Sequence, residues 1–267
     1  MTCLIAILAL GGWGGWYNYR LYAVPTEAGF KPMKGIPVLM YHKVNPDPRT
    51  GGLGLRVSPE DFDWQMQYLK INGYHAVGLG DVLDYFQQGK ALPEKPIVIT
   101  FDDGYKDNYQ YAYPILKKYS YTATVFVVAN IIGKTNEFDL KKHMQPENKM
   151  MDWSEVQSLA TGGITIGSHT LTHPHLAQIS AAEAMQEIVE SKKVLEKGLG
   201  KEVRFFCYPY GDYNDAVANM VKEAGYRAAV TTQLGLNNPD TSPYLLNRIR
   251  IMGLYNHQKF IEELHKY

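Results

Sequence analysis

This chain of 267 residues has few cysteines and no excess of charge of either sign. The only cysteines are Cys3 and Cys207, too few for a disulfide framework or a thiolate metal site. Lys plus Arg and Asp plus Glu each number 27, so no basic excess exists to neutralise a nucleic-acid backbone. Internal repeats and low-complexity tracts are absent too. We therefore expect no nucleic-acid partner, and the hydrophobic fraction of 45% predicts one domain with a substantial core.

The N-terminal segment lacks charge. No side chain from Thr2 to Tyr17 is charged, and the run ends in tryptophan and tyrosine, which are enriched at membrane interfaces. It is shorter than the ~20 residues of a spanning helix, and no basic region precedes it. We expect residues 1–20 to form a hydrophobic leader or membrane anchor, with a buried terminal helix as the alternative. Residues 21–35 carry proline and glycine without periodicity, which predicts a linker.

The remaining segment, 36–267, alternates between strand-like and helix-like stretches. Eight short apolar runs begin at Ile36, His75, Pro96, Thr122, Ile164, Val203, Tyr226 and Tyr244. Segments with helical spacing separate most of them, which predicts βα units and a mainly parallel sheet. About seven or eight such units fit a closed or nearly closed barrel. Two long loops, Asn45 to Gly54 and Lys134 to Lys149, have the length of functional loops.

The first stretch with evident chemistry is ITFDDGYKDNY, where a strand ends in Asp102, Asp103 and Gly104. The active site of a parallel βα barrel lies at this carboxyl end of its strands. Successive strand side chains point to opposite faces, so the aspartates can share a site only if the backbone turns, which Gly104 permits. The pair favours one carboxylate that binds a cation and one that acts as a base. The alternative is a helix N-terminus, where carboxylates are also favoured.

The second stretch is SHTLTH, which follows another strand and contains His169 and His173. Their i, i+4 spacing predicts one face of a helical turn, from which both imidazoles reach one ion. Two histidines and one aspartate form a facial triad that leaves positions open for water and substrate. Position 170 is threonine, so the pattern is not the HExxH of zinc proteases.

Two further strand ends are candidates for the site. In FFCYPYGDYN, Tyr210 and Gly211 follow Pro209, a conformation that could present a backbone N–H to an oxyanion; the alternative is an ordinary turn. His42 ends the first strand on the face where the aspartates lie. It is a candidate functional residue, with a hydrogen-bonded structural histidine as the alternative.

The motifs TFDDGY, SHTLTH and YPYG, in this order, resemble the polysaccharide deacetylases of carbohydrate esterase family 4, the NodB-homology domain. The resemblance runs from about Ile36 to Ile251. It implies a distorted (β/α) barrel of about seven parallel strands and removal of acetyl groups from N-acetylglucosamine polymers or xylan. It implies Asp102 as the catalytic base and the Tyr210 N–H as part of the oxyanion hole. It also implies one divalent ion, zinc first with cobalt, nickel or iron as alternatives, on a ligand set of Asp103, His169 and His173.

The chain departs from the family pattern at two points. Many members carry an arginine beside the base where this sequence has Cys207, so we expect Arg248 or Arg250 to replace that cation. The late histidine that usually serves as general acid is not evident, which leaves His42 as the candidate. The opening VLMYHKV resembles the branch that acts on exported poly-N-acetylglucosamine.

The expected function is a metal-dependent hydrolase that removes N-acetyl groups from a polysaccharide: poly-N-acetylglucosamine, peptidoglycan or a chitin-like polymer. We expect a monomer outside the cytoplasm, associated with the membrane through its N-terminus. The alternatives are a catalytically impaired carbohydrate-binding or scaffold protein on the same barrel, an O-acetyl xylan esterase, and a glycoside hydrolase that uses Asp102.

Overall fold

The structure is a computed structural model that describes residues 24–27, 33–52, 54–140 and 145–267. Its strands are β1 (Val38–Tyr41), β2 (Lys43–Val44), β3 (Arg56–Val57), β4 (His75–Ala76), β5 (Pro96–Phe101), β6 (Thr124–Val127), β7 (Thr165–Ser168), β8 (Phe205–Cys207), β9 (Ala228–Leu234) and β10 (Leu246–Arg250). Its α-helices are α1 (Pro59–Ile71), α2 (Leu79–Gln88), α3 (Tyr113–Tyr119), α4 (Glu137–Leu140), α5 (Trp153–Thr161), α6 (Ala181–Leu199), α7 (Asp215–Glu223) and α8 (His257–Leu264).

Seven parallel strands close into a barrel. Their order is β1, β10, β9, β8, β7, β6 and β5, and β5 pairs again with β1. The short strand β4 pairs only with the start of β5, and β2 and β3 form a separate pair. The prediction of an α/β barrel of about seven parallel strands is confirmed, and all eight apolar runs contain a strand.

The helix α2 lies between β4 and β5. Its apolar residues Leu79, Val82 and Leu83 lie at i, i+3 and i+4 and pack against interior barrel residues such as Val98 and Phe205. Because β4 pairs with the beginning of β5, the helix that follows β4 lies at the amino end of the barrel. It closes that end with apolar side chains.

The two long loops meet over the opposite, carboxyl end. The side chain of Lys43 is buried and donates hydrogen bonds to the Thr50 carbonyl at 2.9 Å and to Gln145 Oε1 at 3.1 Å. The Asn148 amide also donates to the Thr50 carbonyl, at 3.2 Å. These bonds join the loop around Thr50 to the loop that contains α4, and so fix the rim of the barrel.

The predicted leader or anchor, residues 1–20, lies outside the described residues, as does most of the predicted linker 21–35. A described part of that linker, 24–27, rests near the amino end of the barrel, where Glu27 accepts a hydrogen bond from Lys95 Nζ at 2.7 Å. Within the described ranges, no helix combines the length and the apolar character needed to cross a membrane.

Candidate active site

Asp102 and Asp103 lie at the carboxyl end of β5, and both side chains are buried. The backbone turns at Asp103 itself, which has a φ of 75°, and continues through Gly104 with a φ of 84°. Left-handed backbone is uncommon outside glycine. The turn begins one residue earlier than the sequence suggested, and it brings both carboxylates to the same cavity.

Asp103 meets both predicted histidines. Its Oδ1 lies 3.3 Å from His169 Nε2 and 3.4 Å from His173 Nε2, and the two Nε2 atoms are 3.2 Å apart. Ligands held tetrahedrally at 2.0–2.1 Å from a zinc ion lie about 3.3 Å from one another. The three atoms therefore have the spacing and the donor chemistry of a metal site.

The predicted helical turn between the histidines is wrong. Residues 169–175 are not helical, and both Thr170 and His173 have left-handed backbone, with φ of 66° and 64°. The Thr170 hydroxyl accepts a hydrogen bond from the His173 N–H at 2.9 Å, which closes a tight turn. The i, i+4 spacing still brings the two imidazoles together, but through this turn.

His169 is oriented by a second contact. Its Nδ1 lies 2.8 Å from the backbone carbonyl of Cys207, which can only accept a hydrogen bond. Nδ1 therefore carries a proton, and in the neutral ring Nε2 presents its lone pair toward Asp103 and His173. This arrangement of an imidazole between a carbonyl and a shared centre is typical of metal-binding histidines.

Asp102 is paired with a buried arginine. Arg248 donates from Nη1 and Nη2 to the two carboxylate oxygens, both at 2.7 Å, and Nη2 lies 3.3 Å from Cys207 Sγ. Burial alone would raise the pKa of Asp102, but attraction to Arg248 outweighs it and holds the pKa below its usual value. Of the two arginines that the sequence analysis considered beside Cys207, Arg248 contacts the aspartate, whereas Arg250 lines the cavity.

His42 lines the same cavity, with its Nε2 3.9 Å from Asp102 Oδ2. Burial lowers the pKa of this imidazole, against the opposing charges of Asp102 and Asp103. Tyr210 also lines the cavity; its backbone is left-handed, with a φ of 59°, and its ring packs against His173 at 4.5 Å between centroids.

We call this space the catalytic cavity: it has a volume of about 300 Å³ and is lined by residues that include Asp102, Asp103, His169, His173, His42 and Tyr210. The sequence analysis missed Asp139 of α4, which lines it as well. Asp139 Oδ2 accepts a hydrogen bond from the Tyr105 hydroxyl at 2.9 Å. Burial, aided by the charge of Asp103, raises the pKa of Asp139. Its position inside a long loop gave no periodic or motif signal by which it could have been found.

Comparisons with known proteins agree with this geometry. A family model described as polysaccharide deacetylase matches residues 89–229. YxkH of Bacillus subtilis (strain 168), assigned by name to the polysaccharide deacetylases, is 35% identical over 221 residues, which make up 83% of this chain and 72% of that protein. The poly-β-1,6-N-acetyl-D-glucosamine N-deacetylase of Staphylococcus aureus (strain MRSA252) is 30% identical over 198 residues, or 73% of this chain and 67% of that protein.

Among solved structures, the Streptococcus pyogenes deacetylase PplD in complex with acetate is similar, with a TM-score of 0.74 and 30% identity over 87% of this chain and 99% of that chain. A buried Asp-His-His group beside a second carboxylate, at the carboxyl end of a βα barrel, has the residues that a metal-dependent hydrolase requires. The chain belongs to the polysaccharide deacetylase family and is an enzyme of that family. Its buried Asp-His-His group has ligand atoms placed as a metal site needs, and it suggests a metal site typical of the family.

Proposed function

We propose that this enzyme removes N-acetyl groups from poly-N-acetylglucosamine and releases acetate. The observation that carries the proposal is the convergence of Asp103, His169 and His173 on one point next to the carboxylate of Asp102. The choice of polymer rests on the 30% identity to the staphylococcal poly-N-acetylglucosamine deacetylase. Peptidoglycan and chitin-like polymers are the alternatives to be tested beside it.

Asp103, His169 and His173 would hold the divalent ion, which we propose to be zinc, with cobalt, nickel or iron as alternatives. Two imidazole nitrogens and one carboxylate oxygen suit zinc and its neighbours. When bound, the ion supplies Lewis-acid chemistry that makes water more acidic and polarises the acetamide carbonyl. The contact from Cys207 to His169 holds this ring in the tautomer that such a ligand needs.

Asp102 would be the base that accepts a proton from the attacking water. Its bidentate pairing with Arg248 keeps the carboxylate charged and fixed in direction inside a buried site. Arg248 thereby takes the place of the arginine that many family members carry where this chain has Cys207.

His42 would deliver the proton that the departing amine requires. Its Nε2 is 3.9 Å from Asp102, so a small movement of the ring suffices to receive the proton that Asp102 has taken. Tyr210, which also lines the cavity, would direct its backbone N–H toward the developing oxyanion.

We further propose that the enzyme works as a monomer outside the cytoplasm, in the cell envelope, and that residues 1–20 attach it to the membrane. The uncharged run from Thr2 to Tyr17 supports this location, because its residues have the composition of a membrane-associated segment.

The test is an acetate-release assay on poly-N-acetylglucosamine, peptidoglycan, chitin oligomers and acetylxylan. Each polymer is assayed with the purified protein, with the protein after chelation, and after zinc, cobalt, nickel or iron has been added back. We expect the highest rate on poly-N-acetylglucosamine, loss of activity on chelation and the best recovery with zinc. Binding without acetate release would instead favour an impaired scaffold, and new reducing ends would favour a glycoside hydrolase.

A further inference from the structure

The two histidines of the Asp-His-His group are oriented in different ways. The Nδ1 atom of His169 lies 2.8 Å from the Cys207 carbonyl, which fixes the direction of that ring. The Nδ1 atom of His173 is buried and has no hydrogen-bond partner among the described residues. Most metal-binding histidines have such a partner. The direction of the His173 ring must therefore be set by packing and by the backbone that carries it.

Two aromatic rings supply the packing. The centroid of the His173 ring lies 4.3 Å from that of Phe138 and 4.5 Å from that of Tyr210. Close packing of this kind keeps a side chain in one rotamer. It does not determine where the Cα atom of His173 lies, because that position depends on the loop between the two histidines.

That loop, residues 169–173, has an unfavourable backbone conformation. Thr170 and His173 have φ of 66° and 64°, and a residue other than glycine in this region costs about 1–3 kcal/mol. The hydrogen bond from the His173 N–H to the Thr170 hydroxyl lies inside the loop, so it cannot fix the loop relative to the barrel. Contacts from other elements must hold this conformation in place.

Backbone hydrogen bonds from the segment after β6 hold one side of the loop. The Ala129 N–H donates to the Thr170 carbonyl at 3.1 Å. The Asn130 N–H donates to the Leu171 carbonyl at 3.0 Å. These two bonds use carbonyl oxygens of the loop, so its N–H groups require a separate acceptor.

Glu187 of α6 supplies that acceptor. Its Oε2 atom accepts hydrogen bonds from the N–H groups of Leu171 and Thr172, at 2.9 and 2.8 Å. Its Oε1 atom accepts one from the Thr172 hydroxyl at 2.6 Å. Hydrogen bonds to a charged carboxylate are roughly twice as strong as those between neutral groups. One side chain therefore makes three strong bonds to the two residues in the middle of the loop.

The helix α6 is a firm support for this carboxylate. Ile188, the residue after Glu187, is fully buried in the core. The Ser168 hydroxyl donates a hydrogen bond to the Ser191 hydroxyl at 2.8 Å, so α6 is also joined to the last residue of β7, directly before the loop. Glu187 thus projects from an element whose position relative to the loop is fixed.

We propose that Glu187 is a positioning residue of the metal site. By fixing Leu171 and Thr172, this side chain places the backbone of His173. The His173 Nε2 atom is thereby kept 3.4 Å from Asp103 Oδ1, within reach of the same ion. Glu187 is not itself a member of the ligand group. The inference rests on the proposed function, since it takes the Asp-His-His group as the metal ligands.

The test is the Kd of the full chain for zinc, measured by competition with a chromophoric chelator. Loss of a residue that orients a metal ligand typically weakens metal binding, so Glu187→Ala should raise the Kd by about 10–100-fold. Glu187→Gln should stay close to wild type, because its amide oxygen can accept both N–H bonds and its NH₂ group can donate to the Thr172 hydroxyl. Glu190→Ala is the matched control with an expected wild-type Kd, since Glu190 lies on the same helix but pairs with Lys193.

Hydrogen exchange of the chelated protein is a second readout, which requires neither ion nor activity. The amides of Leu171 and Thr172 should lose protection in Glu187→Ala and keep it in Glu187→Gln and Glu190→Ala. If the alanine variant does not fold, Glu187→Met takes its place in both experiments, because methionine keeps most of the side-chain volume and removes the carboxylate.

A purely structural role for Glu187 would lower the free energy of unfolding in urea and leave the zinc Kd of the folded protein unchanged. An unchanged Kd in the folded Glu187→Ala or Glu187→Met variant would therefore overturn the positioning role. The wild type would still bind its ion in that case, and the proposed function would stand. A wild-type protein that bound no zinc would overturn the zinc site of the proposed function, and this inference with it.

Discussion

The two ends of the barrel differ in chemistry. At the amino end, Leu83 and its neighbours on α2 pack against apolar interior residues such as Phe205. At the carboxyl end, the same interior contains Asp102, Asp103 and Arg248, all buried. Buried charges are unfavourable unless they are paired, whereas apolar packing stabilises wherever it is complete. The comparison indicates that stability is concentrated at one end and reactivity at the other.

The backbone follows the same division. Among the described residues, six other than glycine have positive φ. Two are at turns, Lys95 and Ser120, and four lie around the catalytic cavity: Asp103, Thr170, His173 and Tyr210. Each such conformation costs about 1–3 kcal/mol and persists only where the surroundings hold it in place. The well-packed remainder of the barrel offsets this strain.

Removal of the central carboxylate should have the largest effect on function. Asp103→Ala leaves two imidazoles without the shared oxygen, so we expect the metal content to drop from one ion per chain to none and acetate release to fall below detection. Metal analysis and the acetate assay check both. A variant that retained one bound ion would contradict the assignment of Asp103 as a ligand.

Leu83→Ala is the corresponding truncation at the amino end of the barrel. Truncation of this buried side chain should cost about 2–5 kcal/mol in the free energy of unfolding. Metal content and kcat should nevertheless stay near wild type at temperatures where the variant is folded. Loss of the metal in folded Leu83→Ala would break the proposed separation between the two ends.

Asp102→Asn should lower kcat by about 10²–10⁴-fold, the usual range for removal of a general base. The ion should remain bound, because Asp102 lies outside the group of Asp103 and the two histidines. Asp107→Asn is the matched control, since Asp107 is equally buried, follows the same strand and does not line the catalytic cavity. Full activity in Asp102→Asn would show that another group is the base.

Two arginines on β10 allow a sharper test of the carboxyl end. Arg248→Met leaves the buried Asp102 carboxylate unpaired, which should cost about 3–5 kcal/mol in the free energy of unfolding. Arg250→Met is the same change two residues along, on a half-buried side chain that lines the cavity, and should cost less than about 1 kcal/mol. Urea denaturation measures the free energy of unfolding of both variants. Equal losses would mean that the Arg248–Asp102 pair contributes no more to stability than Arg250 does.

These arginines also show what sequence could and could not predict. The strand ends and their polar residues could be predicted from the sequence, because the apolar runs stop at Asp102 and His169. The sequence could not distinguish Arg248 from Arg250 as the partner of Asp102. Residues two apart on a strand share a face, and only their depth in the barrel separates them. The turn at Thr170 was missed because i, i+4 spacing is typical of a helix, and nothing local announces a left-handed threonine.

The smallest expected effect is on the pH dependence of the free energy of unfolding. It compares one carboxylate at the carboxyl end of the barrel, Asp107, with one at the amino end, Glu27. At the carboxyl end, burial raises the pKa of Asp107 from 3.8 to about 6, against the hydrogen bonds from Asn45 and Val44. At the amino end, burial would raise the pKa of Glu27, but hydrogen bonds from His265 and Lys95 outweigh it and lower the pKa from 4.5 to about 2.

The two shifts predict opposite slopes of stability against pH. Between about pH 4 and 6 the folded protein holds the Asp107 proton that the unfolded chain has lost, so stability falls as pH rises, by up to about 3 kcal/mol at 1.36 kcal/mol per unit. Glu27 contributes stability that is present above pH 4.5 and is lost as pH falls toward 2.

Urea denaturation at pH 3, 4, 5, 6 and 7 should show that Asp107→Asn removes the fall in stability between pH 4 and 6, and that Glu27→Gln removes the loss of stability below pH 4.5. If the difference between wild type and Asp107→Asn were constant from pH 4 to 7, the carboxylate at position 107 would titrate normally, and the contrast between the two ends would not extend beyond the catalytic cavity.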